Sequence, residues 1–404
     1  MTEIQDRAYA AIVSCGRTKF SELWEDSMSD LMLESLLESL NSTNGNIEFK
    51  DIESMYVGNF ISEKIVDQGL VAGELAQNFG THIPIFRLEG ACASSGLALY
   101  NACLGIKSGK FDVVAVCGVE KMTDRGEIVT DALASAASDW ERFYGNTFPG
   151  LYATLMARHM YEYGTTREQL AMVAVKNHQH AVNNDKAQYP FPIKIESVLK
   201  SPLIADPVRL LDCSPVSDGA SSIILCKPEI AKKYTETPVY VTGAGAATDA
   251  LSFFSRNDFT GLAATRFSAQ QAFKEAKIIQ KDVDILEVHD CFTIEEITAL
   301  EDLKFVEKGE GGPFIGEAVD SFKGSKHIIY PTESGEIVVN CGGGLKADGH
   351  PVGATGSRQI CEIWEQLLGI AGKKQVDLDT DLLTGVAHNI GGTGGVGSVH
   401  VLQI

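Results

Sequence analysis

The chain has 404 residues, 44% hydrophobic and 22% charged, enough for a large core and about two domains, which excludes a small stapled scaffold. Its 34 Lys and Arg against 54 Asp and Glu leave a formal charge of −20, which repels nucleic acid and anionic membranes, so a polyanionic ligand needs a local basic site. Nine cysteines, an odd number without paired CxxC spacing, speak against a disulfide framework or a zinc ribbon, and with no leader pattern and no apolar run of about 18 residues a cytoplasmic location is expected.

In chain order, the first informative stretch is KDIESMYVGN at 50–59, which returns as KDVDILEVHD at 281–290. One motif used twice predicts two fused similar halves. The next stretch, GACASSG at 90–96, sets Cys92 among small residues before a run with helical spacing, and VVAVCG at 113–118 follows as a buried strand. This is α/β grammar. Small neighbours allow close approach of a ligand or another backbone, and the start of a helix favours negative charge on sulfur. Gly90 to Glu120 and Gly349 to Gly392 repeat the same order of glycine turn, helix and strand.

Between the halves, 124–203 is rich in helix formers and aromatics and is predicted to be an inserted, mostly helical subdomain ending in the loop NNDKAQYPFPIKI. The expected division is a first half at 1–123, the insertion at 124–203, the closing strand and helix of the first half at 204–236, and a second half at 237–404. In LLDCSPVSDGASS the turn carrying Cys213 is read as architectural, with Ser214 and Asp218 fixing the backbone.

Three more stretches resemble site loops. EVHDCFT places His289, Asp290 and Cys291 after an apolar strand, where α/β proteins put ligand-contacting loops. GHPVGATG surrounds His350 with glycines but lacks the lysine of a phosphate loop, so nucleotide binding is rejected there. HNIGGTGG sets His388 and Asn389 before a glycine turn between two strands, where His388 could equally be a satisfied turn residue. Cys341 and Cys361 read as packing thiols. His178 and His180, at i and i+2, point to different sides of a helix and do not make a zinc pair; no metal site is expected.

Taken together and in this order, ACASSG, VVAVCGVEKM, HDCF, GHPVGATG and HNIGG resemble the thiolase superfamily over nearly the whole chain, and HDCF with HN resembles its sterol-carrier-protein-2-like, archaeal and bacterial branch. Better-known thiolases carry NEAF and a late CxG cysteine; here that last position is Asn389. The resemblance implies a layered αβαβα fold and cleavage or formation of a 3-ketoacyl-CoA through an acyl-cysteine. It implies Cys92 as nucleophile, His350 as its base, and Cys291 as the acid/base that replaces the missing thiol. His289 and His350 would serve the enolate oxygen, and the backbone N–H groups of Cys92 and Gly391 the tetrahedral oxyanion. Coenzyme A enters as substrate or product, with no permanently bound cofactor.

Acetoacetyl-CoA is the expected substrate. The aromatics Tyr144, Phe148 and Tyr152 and the stretch DALSFFSRNDFTGL leave open a bulky 3-ketoacyl-CoA such as benzoylsuccinyl-CoA, or else belong to the core. A decarboxylating ketoacyl synthase lacks a second catalytic thiol, and a non-catalytic acyl-CoA-binding scaffold would not need Cys92, Cys291 and His350 together. The resemblance further implies a homodimer and a small partner with a zinc ribbon and an OB-like fold that completes the coenzyme A site, because the site motifs hold almost no Arg or Lys beyond Lys346. Lys176, Lys186 and Lys194 of the insertion are either further cations for that site or a solvated surface.

Overall fold

A computed structural model of the protein describes residues 2–43, 45–332 and 335–404. The apolar runs become strands because each is short, β-branched and bounded by Gly, Asp or Pro, while the alanine- and leucine-rich segments between them cover the faces as helices. The first half holds β1 (Ala10–Arg17), β2 (Ser54–Gly58), β3 (Ile85–Leu88) and β4 (Val113–Glu120), then a short hairpin of β5 (Leu203–Ala205) and β6 (Val208–Arg209), and β7 (Gly219–Cys226). The second holds β8 (Val239–Thr248), β9 (Ile285–Glu287), β10 (Tyr330–Thr332), β11 (Gly335–Val339), β12 (Thr384–Gly391) and β13 (Val396–Gln403).

Apart from the β5–β6 hairpin, these strands form one mixed sheet in the order β10-β11-β9-β12-β13-β8-β1-β7-β4-β2-β3. Read outward from the antiparallel β1–β8 seam, β1-β7-β4-β2-β3 on one side matches β8-β13-β12-β9-β11 on the other. The two copies of the KD motif are thus β2 and β9, in equivalent places. β4 is parallel to β2 but antiparallel to β7, so the parallel strand expected from VVAVCG has that pairing on one side only.

Two helices form the inner layer. Ser94–Lys107 packs on β4 and β2 of its own half and reaches β8 and β13 of the other, and Thr355–Leu367 lies between β12 and β7. Their buried faces join one core through Ala98, Leu99, Ala102, Ile106, Ile360 and Ile363, where each fully buried Leu or Ile contributes about 1.5–3 kcal/mol. The two helices touch at Gly96 and Gly356, where a Cβ on Gly356 would sit 2.5 Å from the Gly96 nitrogen. Both helix starts are thereby held at the middle of the molecule.

The segment 124–203 contains the helices Gly126–Ala134, Asp139–Phe143, Phe148–Tyr163, Arg167–Ala181 and Ile195–Leu199. Its lysines divide: Lys194 fits the expectation of a solvated surface and Lys176 fits neither. Lys176 is fully buried, paired with Glu296 at 2.7 Å and donating to the Val339 carbonyl at 2.9 Å, so it is neither solvated nor free for a ligand. Lys186 binds Glu38 and the Arg17 carbonyl, and Lys194 is exposed. No described helix is long and apolar enough to cross a membrane.

Candidate active site

Cys92 sits on a single 3-10 turn, Ala91–Ala93, that runs directly into the helix Ser94–Lys107. The turn is tightly tied. Ala91 takes a left-handed φ of 50° and donates its N–H to Glu89 at 2.7 Å, while Ser94 Oγ donates to the Ala91 carbonyl at 2.6 Å and accepts from Gly90 N–H. A left-handed alanine is strained, and these bonds hold it there. The small residues around Cys92 serve packing more than ligand access: Ala93 is fully buried, and a Cβ on Gly96 would meet Asn389 Oδ1 at 2.7 Å.

The Cys92 sulfur and a ring nitrogen each of His289 and His350 lie within 4.8 Å of one another. The two imidazoles meet edge to face with centroids 5.0 Å apart. Cys92, Cys291 and His350 line a cavity of about 190 Å³ walled by Phe60, Met122, Leu133, Phe148, Tyr152 and Phe292. The loops that HDCF, GHP and HNIGG place at strand ends therefore converge from three directions.

Hydrogen bonds fix the tautomer of each histidine. Asn389 Nδ2 donates to the Cys92 carbonyl at 2.9 Å and to His289 Nδ1 at 3.0 Å. The carbonyl accepts only, so the amide orientation is set; Nδ1 of His289 must then accept, and its proton sits on Nε2. That Nε2 is buried without a partner. A donor left unpaired in the site is ready for a developing negative oxygen. His350 Nδ1 lies 2.7 Å from Thr355 Oγ1, which itself donates to the Pro351 carbonyl at 3.1 Å. Thr355 accepts from His350 Nδ1–H, and Nε2 of His350 keeps a lone pair for a thiol proton.

Burial sets the charge states. It pushes the Cys92 thiol up to about 12, against the opposing pull of the Gly392 and Cys92 backbone N–H groups. The helix start expected to favour the thiolate is outweighed by desolvation. Burial also takes His350 down to about 3 and, with His350 and His388 nearby, His289 well below the ordinary imidazole range. At neutral pH the site rests as a thiol beside two neutral imidazoles. Cys291 is buried and likewise pushed well up, first by desolvation and then by Glu295 and Cys92.

Other expected residues fall differently. Gly391 is paired within the β12–β13 ladder, and a Cβ there would overlap the Gly90 carbonyl oxygen; it is Gly392 whose N–H faces the Cys92 sulfur and which lines the cavity. His388 lies within β12, fully buried and bonded to Thr265 at 2.8 Å, and does not line the cavity. Asp290 anchors backbone by accepting from Leu345 and Lys346 N–H. Cys213 lines the cavity, although its turn was expected to be architectural; the Ser214 N–H bonds the Cys291 carbonyl at 2.9 Å, which brings the turn to the site. Asp218 does fix backbone, accepting from Met122 and Thr123 N–H. Phe148 and Tyr152 face the cavity, Phe253 is core, and Tyr144 and Phe254 are exposed.

Sequence reasoning missed Gly392 and Thr355 as parts of the site. Thr355 follows GHP at i+5 and could have been found as a histidine partner; Gly392 is brought in by tertiary packing, while Phe148 and Tyr152, named among the aromatics that could hold an acyl part, do line the cavity.

Comparisons with known proteins agree with this geometry. Models of the thiolase N-terminal domain and the thiolase C-terminal domain-like family match residues 10–229 and 245–404. An acetyl-CoA acetyltransferase of Methanothermobacter thermautotrophicus is 46% identical over 97% of this chain and 99% of its own, and one of Methanocaldococcus jannaschii is 42% identical over 97% and 98%. The benzoylsuccinyl-CoA thiolase subunit BbsB of Thauera aromatica is 35% identical over 88% of each chain. The solved Ltp2-ChsH2(DUF35) aldolase shares the fold with a TM-score of 0.80, at 24% identity over 98% of this chain and 97% of that one. With both halves matched and a cysteine turn beside two histidines, this chain belongs to the thiolase family.

Proposed function

We propose that the protein is an acetyl-CoA C-acetyltransferase that cleaves acetoacetyl-CoA with coenzyme A, or runs in reverse, through an acetyl group on Cys92. The observation that carries this reading is the meeting of Cys92, His289 and His350 within 4.8 Å beside Cys291, in a cavity of about 190 Å³ that suits a short acyl group. Two archaeal acetyl-CoA acetyltransferases at 46% and 42% identity support it.

In cleavage, His350 Nε2 takes the Cys92 proton as the sulfur attacks the 3-keto carbon. The Cys92 and Gly392 N–H groups receive the oxyanion, in place of the Cys92 and Gly391 pair expected from sequence. The carbon–carbon bond then breaks, His289 Nε2–H receives the enolate oxygen, and Cys291 gives its proton to the α-carbon. A coenzyme A thiol next transfers its proton to the Cys291 thiolate and attacks the acetyl group, and Cys92 leaves and recovers its proton from His350. Coenzyme A is substrate and product, and the reading calls for no permanently bound cofactor or metal.

The chain is further read as cytoplasmic, divided at 1–123, 124–203, 204–236 and 237–404, and homodimeric. Support for a dimer comes from β3, which among the described residues pairs only with β2 at the end of the sheet, with Phe86 47% exposed. A small zinc-ribbon and OB-fold partner beside the insertion is read from the −20 charge, from Lys346 being buried, and from exposed Trp140, Phe143 and Tyr144. The name Ltp2-ChsH2(DUF35), which joins two components, supports it too.

The test compares coenzyme A-dependent cleavage of acetoacetyl-CoA with that of benzoylsuccinyl-CoA. Preference for acetoacetyl-CoA is expected, preference for the aromatic ester would move the substrate toward that of BbsB, and no cleavage of any 3-ketoacyl-CoA would favour a binding scaffold.

A further inference from the structure

We propose that Arg256 is a positioning residue for acyl transfer, gripping the glycine turn 391–395 so that the Gly392 N–H stays aimed at the oxyanion formed on Cys92. The proposal rests on the reading of the Cys92 and Gly392 N–H groups as the oxyanion donors. The turn reads Gly-Gly-Thr-Gly-Gly, with Gly392 and Gly394 at left-handed φ of 63° and 90°. Four glycines in five leave this backbone many conformations, and an N–H that wanders is a poor oxyanion donor.

Inside the turn, the Gly391 carbonyl accepts from the Gly394 and Gly395 N–H groups, each at 3.1 Å. The Gly391–Gly392 peptide is trans, so the Gly392 N–H points the opposite way, out of the turn. That side is the site: Gly392 lines the cavity with Cys92, and Gly391 packs on the Cys92 turn so closely that a Cβ there would overlap the Gly90 carbonyl oxygen.

The other carbonyls of the turn are held from outside. The Tyr152 hydroxyl donates to that of Gly392 at 3.3 Å, and the Asp249 N–H to that of Gly395 at 2.9 Å. Thr393, the one residue of the turn with a side chain, is buried and belongs to Arg256: Nη1 donates to its carbonyl at 2.6 Å and Nη2 to its hydroxyl at 3.2 Å. A charged fork on two atoms fixes the rotation as well as the place of the residue beside Gly392. Arg256 is itself buried and fixed. Its Nε donates to the Ala250 carbonyl at 2.9 Å, and its guanidinium lies over the Phe253 ring at 4.7 Å. Neither Arg256 nor Thr393 lines the cavity, so the guanidinium acts through the turn. The stretch DALSFFSRNDFTGL thereby serves the site through its arginine rather than its aromatics.

The experiment compares wild type with Arg256→Lys, Arg256→Met and Thr393→Val in Cys92 acetylation by stopped flow, α-proton exchange of acetyl-CoA in deuterated buffer, and the infrared carbonyl stretch of the isotope-labelled acetyl-enzyme. That stretch falls in frequency as hydrogen bonds to the thioester oxygen strengthen. Thermal melts establish folding, and if the Met variant does not fold, the Lys variant is held to the same tests. Arg256→Met should slow acetylation about 10–10²-fold, with exchange within about threefold because His289 receives the enolate oxygen, and its acetyl carbonyl should move toward that of the denatured acetyl-enzyme. Lys, a point charge that cannot fork, should fall between, and Thr393→Val, which keeps the carbonyl bond, should cost less than about tenfold. A wild-type acetylation rate in Arg256→Met, equal slowing of both reactions, or an unshifted carbonyl stretch would overturn the proposal. A wild-type acetyl carbonyl that already matches the denatured acetyl-enzyme would instead remove the oxyanion reading on which it rests.

Discussion

The Asn389 amide serves Cys92 and His289 at once, through bonds of 2.9 and 3.0 Å. In Asn389→Asp the new carboxylate only accepts. It faces the Cys92 carbonyl with repulsion and can only accept a hydrogen bond from His289, so the ring changes tautomer to place its proton on Nδ1 and Nε2 turns from donor to acceptor. Losing one donor aimed at an oxyanion costs about 10²–10³ in rate. Two buried hydrogen bonds of about 1 kcal/mol each make the folding cost about 2 kcal/mol before the charge is counted. The assay is α-proton exchange of acetyl-CoA followed by mass spectrometry, with Cys92 acetylation as the control. Exchange should fall about 10²–10³-fold and acetylation only about tenfold, because attack on the thioester does not use His289. Exchange within about threefold of wild type would refute the tautomer argument.

Cys291→Ala should still be acetylated at Cys92 but exchange α-protons about 10²–10⁴-fold more slowly, as read by deuterium uptake. Thr355→Val removes the acceptor that keeps the His350 proton on Nδ1, and should lower the rate of Cys92 acetylation in stopped-flow mixing by about tenfold, with the melting temperature lowered by a loss of about 1–3 kcal/mol. Gly391→Ala puts a Cβ into the Gly90 carbonyl; backbone can relieve this only by moving the Cys92 turn, and a loss of about 1–3 kcal/mol or more is expected in denaturant unfolding. Burial depresses His400 to about 3, so the unfolded chain takes up this proton first as pH falls from about 6.5. The His400 contribution to stability is present above that value and is lost toward pH 3 at about 1.4 kcal/mol per unit; His400→Gln should make stability less steep between pH 6.5 and 5.

The repeated KD motif carried real information: β2 and β9 occupy equivalent places because one packing solution, a strand against a central helix, is used twice. Cys92, His289, Cys291 and His350 were legible because each stands in a loop whose sequence is unusual for core. What was not legible depends on residues far apart in the chain. Gly391 and Gly392 are indistinguishable in sequence, and only the ladder with Val396 and the Gly90 carbonyl assigns packing to one and the N–H facing sulfur to the other. Lys176 looks like a surface lysine until Glu296, 120 positions later, is brought beside it. Desolvation is likewise a property of the assembled core, so the helix start beside Cys92 suggested a thiolate where burial keeps a thiol.

The central claim is that Cys92 carries the acyl group. Brief incubation with acetyl-CoA, followed by quenching in acid and peptide mapping by mass spectrometry, should place a single acetyl group on the Cys92 peptide, absent in Cys92→Ser. An acetyl group on Cys291 or Cys213 with Cys92 unmodified, or no acetylation while acetoacetyl-CoA is turned over, would contradict the account.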